Sequence, residues 1–265
     1  MFKLTDALSA VRYFNRYHVA TSLSFLPRKR NTPGEIAREV EEYGAALEYI
    51  SSYQLDSDIT VKPQQFGILR DPSLTLDALM ILAERAKSLK NFVWVDMERS
   101  STVTPTIQTF EKLYDHYGNV GICLQAYLRR TRDDLDRILE RRAPVRLVKG
   151  FYNDSDITNW QEVTDNYRSL MYNLLNRSNR PCIATHDLEL IEEAKKEIQD
   201  RGIQNAEIQF FKGVRDDFAV KLSQEGYKTR IYVPYGQIFR FLADGFKTFD
   251  ISRHLKRFCR WKKII

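Results

Sequence analysis

The run VRLVKGFYND, residues 145–154, sets Arg146 and Lys149 inside a stretch whose Val and Leu content and terminal Gly150 read as a β-strand covered on both faces. An unpaired cation buried there would cost several kcal/mol, so these two must meet a carboxylate or an anionic ligand. Six other apolar runs end in the same way. Lys62 lies in 58–64, Asp96 and Glu98 in 92–98, and Gln125 and Tyr127 in 120–127. Thr185, His186 and Asp187 close 181–187, Gln209 and Lys212 fall in 206–214, Tyr232 and Tyr235 in 230–236, and Tyr152 joins the cations of the opening run. Any one of these is as readily a rim salt bridge or a helix cap. Seven together point to one shared mouth, with Asp96 as a carboxylate for the cations.

Several chemistries are excluded by spacing. The 11 glycines contain no GxG, which removes the dinucleotide fingerprint and the phosphate-binding loop. His18, His116, His186 and His254 are scattered, so no catalytic metal is expected. No GxSxG elbow supplies an acyl-transfer nucleophile. Cys123, Cys182 and Cys259 are odd in number and far apart, as small buried hydrophobes are. A mouth of cations, amides and aromatics without a nucleophile suits a bound organic cofactor that carries the difficult step.

The elements that must position these residues alternate along the chain. Together with 18–26 the apolar runs number eight, and amphipathic stretches separate them. TPGEIAREVEEYGAALEYISS has Thr32 as N-cap and Pro33 at the first helical position, and DLELIEEAKKEIQDRG ends at Gly202. Eight strand–helix units without a Ser/Gly linker predict an α/β fold, a single-domain (β/α)8 TIM-like barrel over residues 1–250, with a doubly wound open sheet as the alternative. A chain of 265 residues with 43% hydrophobic and 29% charged residues is of a size for one such domain.

The net charge of +6 resides in the last fifteen residues, where Arg253, Lys256, Arg257, Arg260, Lys262 and Lys263 face no acid. The remainder is formally neutral, which argues against a nucleic-acid groove. No run approaches the ~18 apolar residues of a membrane span, and MFKLTDALSAVRYFNRYHV lacks a signal-peptide core, so a cytoplasmic location is expected.

VDME (95–98), LQAYLRRT (124–131), RLVKGFYND (146–154), ATHD (184–187), IQFFKGV (208–214) and YVPYG (232–236) resemble, in order and spacing, the motifs of the proline dehydrogenases. The resemblance covers roughly residues 17–245. It implies a (β/α)8 barrel that binds FAD across its mouth without a Gly-rich fingerprint, oxidises L-proline to 1-pyrroline-5-carboxylate, and passes electrons to a quinone. It further implies that Arg146 meets the reactive edge of the flavin with Asp96 beside it. Met97 and Gln125 would contact the ring system, Lys149, Gly150 and Phe151 would form a turn against the cofactor, and Thr185 and His186 would touch the rest of the FAD. Lys62 and Tyr232 would face the substrate.

The sequence departs from the family after YVPYG. An ungapped match of the final helix puts Phe241 where the family has a Tyr, Asp244 and Gly245 in place of an Arg pair that grips the substrate carboxylate, and Thr248 in place of a Glu. Each lost charge-assisted contact is worth about 1.5–3 kcal/mol. A different cyclic or secondary amine as substrate, and a flavin-binding protein without catalysis, are therefore alternatives to proline oxidation. In 251–265, Ile251, Leu255, Phe258 and Trp261 share one helical face and the cations occupy the rest. That pattern reads either as a basic amphipathic tail for peripheral contact with the inner face of a membrane or as an ordinary helix over the barrel end.

Overall fold

The structure is a computed structural model that describes residues 2–27 and 32–238. Runs of β-branched and aliphatic residues form eight parallel strands: β1 (Ala20–Leu26), β2 (Ser57–Val61), β3 (Val93–Val95), β4 (Val120–Gln125), β5 (Val145–Val148), β6 (Pro181–Ala184), β7 (Glu207–Phe211) and β8 (Thr229–Gly236). Each pairs with the next, and β8 pairs with β1 from Ala20↔Arg230 to Leu26↔Gly236, so the sheet closes. This is the expected barrel, and closure rules out the open sheet. Every apolar run picked out in the sequence overlaps one strand, β2 and β8 starting one residue earlier than their runs.

The helices among the described residues are α1 (Leu4–Asn15), α2 (Pro33–Ser52), α3 (Pro72–Ser88), α4 (Val103–Tyr117), α5 (Thr131–Leu139), α6 (Trp160–Arg177), α7 (Leu188–Asp200) and α8 (Asp216–Gln224). α2 starts as read, with Pro33 in the first turn and the Thr32 N–H donating to Glu35 at 3.0 Å. α7 is capped by Asp187, whose side chain accepts from the Glu189 N–H at 3.1 Å. The sequence reading did not count α1. It precedes β1, buries Ala7, Leu8, Ala10, Val11 and Phe14, and packs on β8 and β1 at the seam of the barrel. Of the segment compared with the family's final helix, only Gln237 and Ile238 are described, and the basic tail 251–265 lies outside the described residues.

Side chains alternate between the two faces of a strand. In this barrel one set, including Leu23, Ile59, Val95, Ile122, Leu147, Ile208 and Val233, joins Val11, Leu47, Leu82, Phe110 and Leu174 of the helices in one apolar layer. The other set points to the barrel axis and is largely polar: Ser22, Asp58, Thr60, Arg146, Glu207, Gln209, Arg230 and Tyr232. Trp94 belongs to this inner set, and Gly121, its register partner on β4, makes room for it. A Cβ at Gly121 would lie 2.5 Å from the indole Cζ3.

Two predictions follow from this packing. Gly121→Ala should cost about 1–3 kcal/mol through overpacking against Trp94, read as a lower urea midpoint at unchanged slope. The second concerns Glu39, buried on α2 with Oε2 unpartnered. Burial, then the Glu35 carboxylate, pushes its carboxyl up to about 8. An unfolded glutamate titrates near ~4.3, so the folded chain holds the extra proton between the two values. The stabilisation is complete below the unfolded value and is lost as pH rises through the folded one. Between about pH 5 and pH 8 the stability of the native chain should therefore fall more steeply than that of Glu39→Gln, by up to roughly one proton in slope, as measured by denaturant unfolding at stepped pH.

Candidate active site

Arg146 leaves β5 toward the barrel axis, and its acceptors come from strands that do not neighbour β5. Nε donates to Gln209 Oε1 at 2.7 Å, and Nη1 donates to Thr60 Oγ1 and Asp96 Oδ1, each at 3.2 Å. Nη2 lies 3.4 Å from Ser22 Oγ. Only a side chain inside the barrel reaches β1, β2 and β7 together. The guanidinium also sits 4.6 Å from the Trp94 ring centre, within cation–π range.

Asp96 follows β3 and joins this cation to a second one. Its Oδ2 accepts from Lys62 Nζ at 2.7 Å and from the Tyr232 hydroxyl at 3.0 Å. Arg146, Asp96 and Lys62 are all buried. Burial acts to lower Lys62, but Asp96, followed by Tyr232, Tyr152 and Glu98, holds it well above the ordinary lysine value. Burial and then Asp96 raise the Tyr232 phenol, so it serves as a neutral donor. Two cations on one carboxylate leave the cluster with one unit of positive charge.

The other residues singled out in the sequence gather around the same mouth in different capacities. Met97 is buried, and its carbonyl accepts from Gln125 Nε2 at 3.3 Å. Lys149 turns away from the cluster: Nζ donates to Asp187 Oδ2 at 2.7 Å and to Thr164 Oγ1 at 2.8 Å, and lies 5.2 Å from the Trp160 ring centre. The ammonium is thus committed to α6 and the start of α7 rather than to the cluster. Phe151 is half-buried and meets Tyr152 edge to face. Thr185 Oγ1 accepts from the Asp187 N–H at 3.2 Å. His186 Nε2 accepts from the Phe211 N–H at 3.2 Å, and its ring stacks on Phe210.

Sequence reasoning missed the layer beneath. Asp58 Oδ1 accepts from Ser22 Oγ at 2.5 Å, and its Oδ2 accepts from Trp94 Nε1 at 3.0 Å and pairs with Arg230 Nη1 at 3.1 Å. Glu207 is held by Arg180 and Arg230. Tyr152, at the end of the opening run, belongs to the site as well: burial raises its phenol, which Lys62 opposes. The available signal was strand alternation, since Asp58 and Thr60 continue inward from Lys62, as Glu207 continues from Gln209.

The residues present fit a flavin ring in one respect. Gln125 Oε1 is buried without a partner, which costs about 1–3 kcal/mol unless a donor arrives, and an isoalloxazine supplies a ring N–H. Gly150, at φ +132°, lies against Tyr127 so closely that a Cβ would be 2.3 Å from the ring. The Tyr127 ring fills the place of a side chain there, so the glycine is required by that packing and by its positive φ. Among the described residues no group of His, Cys, Asp and Glu is arranged to hold a metal ion, and no helix is long and apolar enough to cross a membrane.

The chain is similar in sequence and in fold to known proteins. The sequence model of the family described as proline dehydrogenase matches residues 7–243. Proline dehydrogenase 2 of Bacillus subtilis (strain 168) is 30% identical over 238 residues, 88% of this chain and 78% of that protein. Proline dehydrogenase of Deinococcus radiodurans is 28% identical over 244 residues, 88% and 79% respectively. Among solved structures, proline utilization A from Bdellovibrio bacteriovorus, inactivated by N-propargylglycine, superposes with a TM-score of 0.82 at 20% identity. That match covers 91% of this chain but 31% of the larger protein. Proline utilization A from Corynebacterium freiburgense gives 0.79 at 18% identity, over 97% of this chain and 31% of that one. At such identities the structures bear on the fold.

The cluster generates a stability prediction. Asp96→Asn removes the carboxylate shared by two buried cations and should cost about 3–5 kcal/mol, measured by equilibrium urea unfolding. A loss below about 1 kcal/mol would mean that the cations are solvated, as exposed pairs are.

Proposed function

This chain belongs to the proline dehydrogenase family, an oxidoreductase family acting on the CH–NH group of proline, and from that premise we propose that it oxidises L-proline to 1-pyrroline-5-carboxylate with FAD bound across the barrel mouth. The observation that carries the reading is the buried Arg146–Asp96–Lys62 cluster, with Lys62 and Asp96 just past the carboxyl ends of β2 and β3, where barrels of this kind do chemistry. When bound, the flavin accepts the two electrons and the hydrogen that leave the carbon beside the ring nitrogen as the C=N bond forms. Arg146 supplies a fixed cation next to the ring as it gains negative charge, a stabilisation that needs no reorganisation at the moment of reaction. Gln125 would meet a ring N–H, and Met97, Gly150 and Phe151 would line the ring. Thr185, His186 and the turn at Lys149 would serve the remainder of the FAD.

Lys62 is a buried ammonium held in place by Asp96, and it would face a substrate carboxylate. Tyr232 would wall the same space. Asp96 touches both cations and Tyr232, and its part is to hold them in place. We further propose a quinone as electron acceptor, with the basic tail 251–265 as a peripheral contact to the inner face of a membrane; this rests on the sequence of the tail.

The sequence of the final helix favours one second reading. With Asp244 and Gly245 at the positions matched to an Arg pair, the substrate would be a cyclic or secondary amine that carries no carboxylate. The same preparation separates the two. The purified chain is expected to be yellow, or to become so on addition of FAD, and to bleach on anaerobic addition of L-proline. Bleaching by pyrrolidine-type amines but not by proline would install the second reading, and a chain that retains no flavin would overturn both. Arg146→Ala should slow flavin reduction at least tenfold, about 1.4 kcal/mol, in stopped-flow absorbance.

A further inference from the structure

We propose that Glu207 is a positioning residue for Arg146, acting through the side-chain amide of Gln209. The inference deepens the preceding reading, because it concerns the cation assigned to the cofactor edge. Glu207 lies two residues before Gln209 on β7, and both point into the barrel. Its Oε1 accepts from Arg180 Nη2 at 2.7 Å and from Arg230 Nη2 at 3.2 Å. Its Oε2 accepts from Arg230 Nε at 2.7 Å and from Gln209 Nε2 at 2.9 Å. Burial alone would raise this carboxyl, but Arg230 and then Arg180 bring it below the ordinary carboxylate range. Glu207 is therefore ionised and can only accept.

The consequence for Gln209 is one of polarity. An amide has a donating end and an accepting end. Facing a carboxylate, Gln209 must present its NH2, and its single oxygen is then turned to the other side, where Arg146 Nε lies 2.7 Å away. With the amide reversed, NH2 would face Nε–H, two donors with no bond between them, and Glu207 would face an oxygen. Both contacts fail together, so the ionised Glu207 excludes the reversed state. The bond at Nε adds the third side of the guanidinium to the contacts at Nη1 and Nη2, so the plane is held from every edge. The charge that sets the orientation of Arg146 thus sits one layer beneath it and touches neither substrate nor cofactor.

A merely structural Glu207, a counter-ion for Arg180 and Arg230, would leave Arg146 unaffected once its own charge is kept. Glu207→Asp makes that distinction: it retains a carboxylate for the two arginines and withdraws it from Gln209. The readout is the solvent exchange of the Arg146 Nε–H in the 15N-labelled full chain without added FAD, the signal being identified by its loss in Arg146→Lys. In the native chain this proton should exchange slowly. Glu207→Asp, Glu207→Gln and Gln209→Leu should each speed its exchange at least tenfold. In the FAD-loaded protein, Glu207→Asp should lower kcat for proline at least tenfold while KM moves less than about threefold. Rapid exchange in the native chain would overturn the proposal. So would exchange within twofold of native in the folded Glu207 variants when Gln209→Leu is fast, because the amide would then keep its orientation unaided. A chain that binds no FAD removes the functional reading and leaves the exchange measurement to decide this one.

Discussion

A guanidinium in the middle of a closed barrel must find an acceptor for each N–H it buries, and much of this interior follows from that requirement. Leaving a charge unpaired in such a place costs several kcal/mol, and removing one member of a buried pair exposes the same penalty. Arg146 meets the demand with acceptors from Ser22, Thr60, Asp96 and Gln209. Each acceptor is polar and buried in turn, and needs its own partner. Ser22 leads to Asp58, Gln209 leads to Glu207, and these two acids end on Arg230 and Arg180. The polar column from mouth to floor is thus a chain of obligations begun by one cation.

The apolar parts of the fold make room for that column. Closure of the eight strands leaves no edge, so all backbone pairing is internal and the axis is sealed by side chains. Trp94 occupies one side of the axis because Gly121 gives way, and its ring lies against Arg146 while its N–H is given to Asp58. One residue thereby touches two levels of the column. Outside the sheet the helices cover an aliphatic face that carries no functional group, and α1 covers the seam between β8 and β1. The division follows from the two-residue period of a strand, which lets a single segment such as VRLV give Arg146 to the axis and Val145 and Leu147 to the helices.

The architecture was legible in the sequence because its signals are local. Eight apolar runs, the Thr32–Pro33 start and the polar strand ends each lie within a few residues of chain. Pairing is not local. Arg146 is 63 residues from Gln209 and 124 from Ser22, and Arg180 is 122 from Asp58. Lys149 shows the limit: its position at the end of β5 was plain, yet Asp187 and Thr164, supplied by later elements, decide which way its ammonium turns. Helix α1 was passed over for a related reason, since its apolar stripe has meaning only against the closed β8–β1 seam.

The saturation of Asp96 also bears on its chemistry. Oδ1 accepts from Arg146, while Oδ2 accepts from Lys62 and Tyr232. A group held on both oxygens in this way is an anchor, for the hydrogen bonds it accepts also hold the two cations still. Fixed donors are worth most where charge develops, because they do not have to turn toward it. On this view the acid contributes by keeping Arg146 and Lys62 where they are.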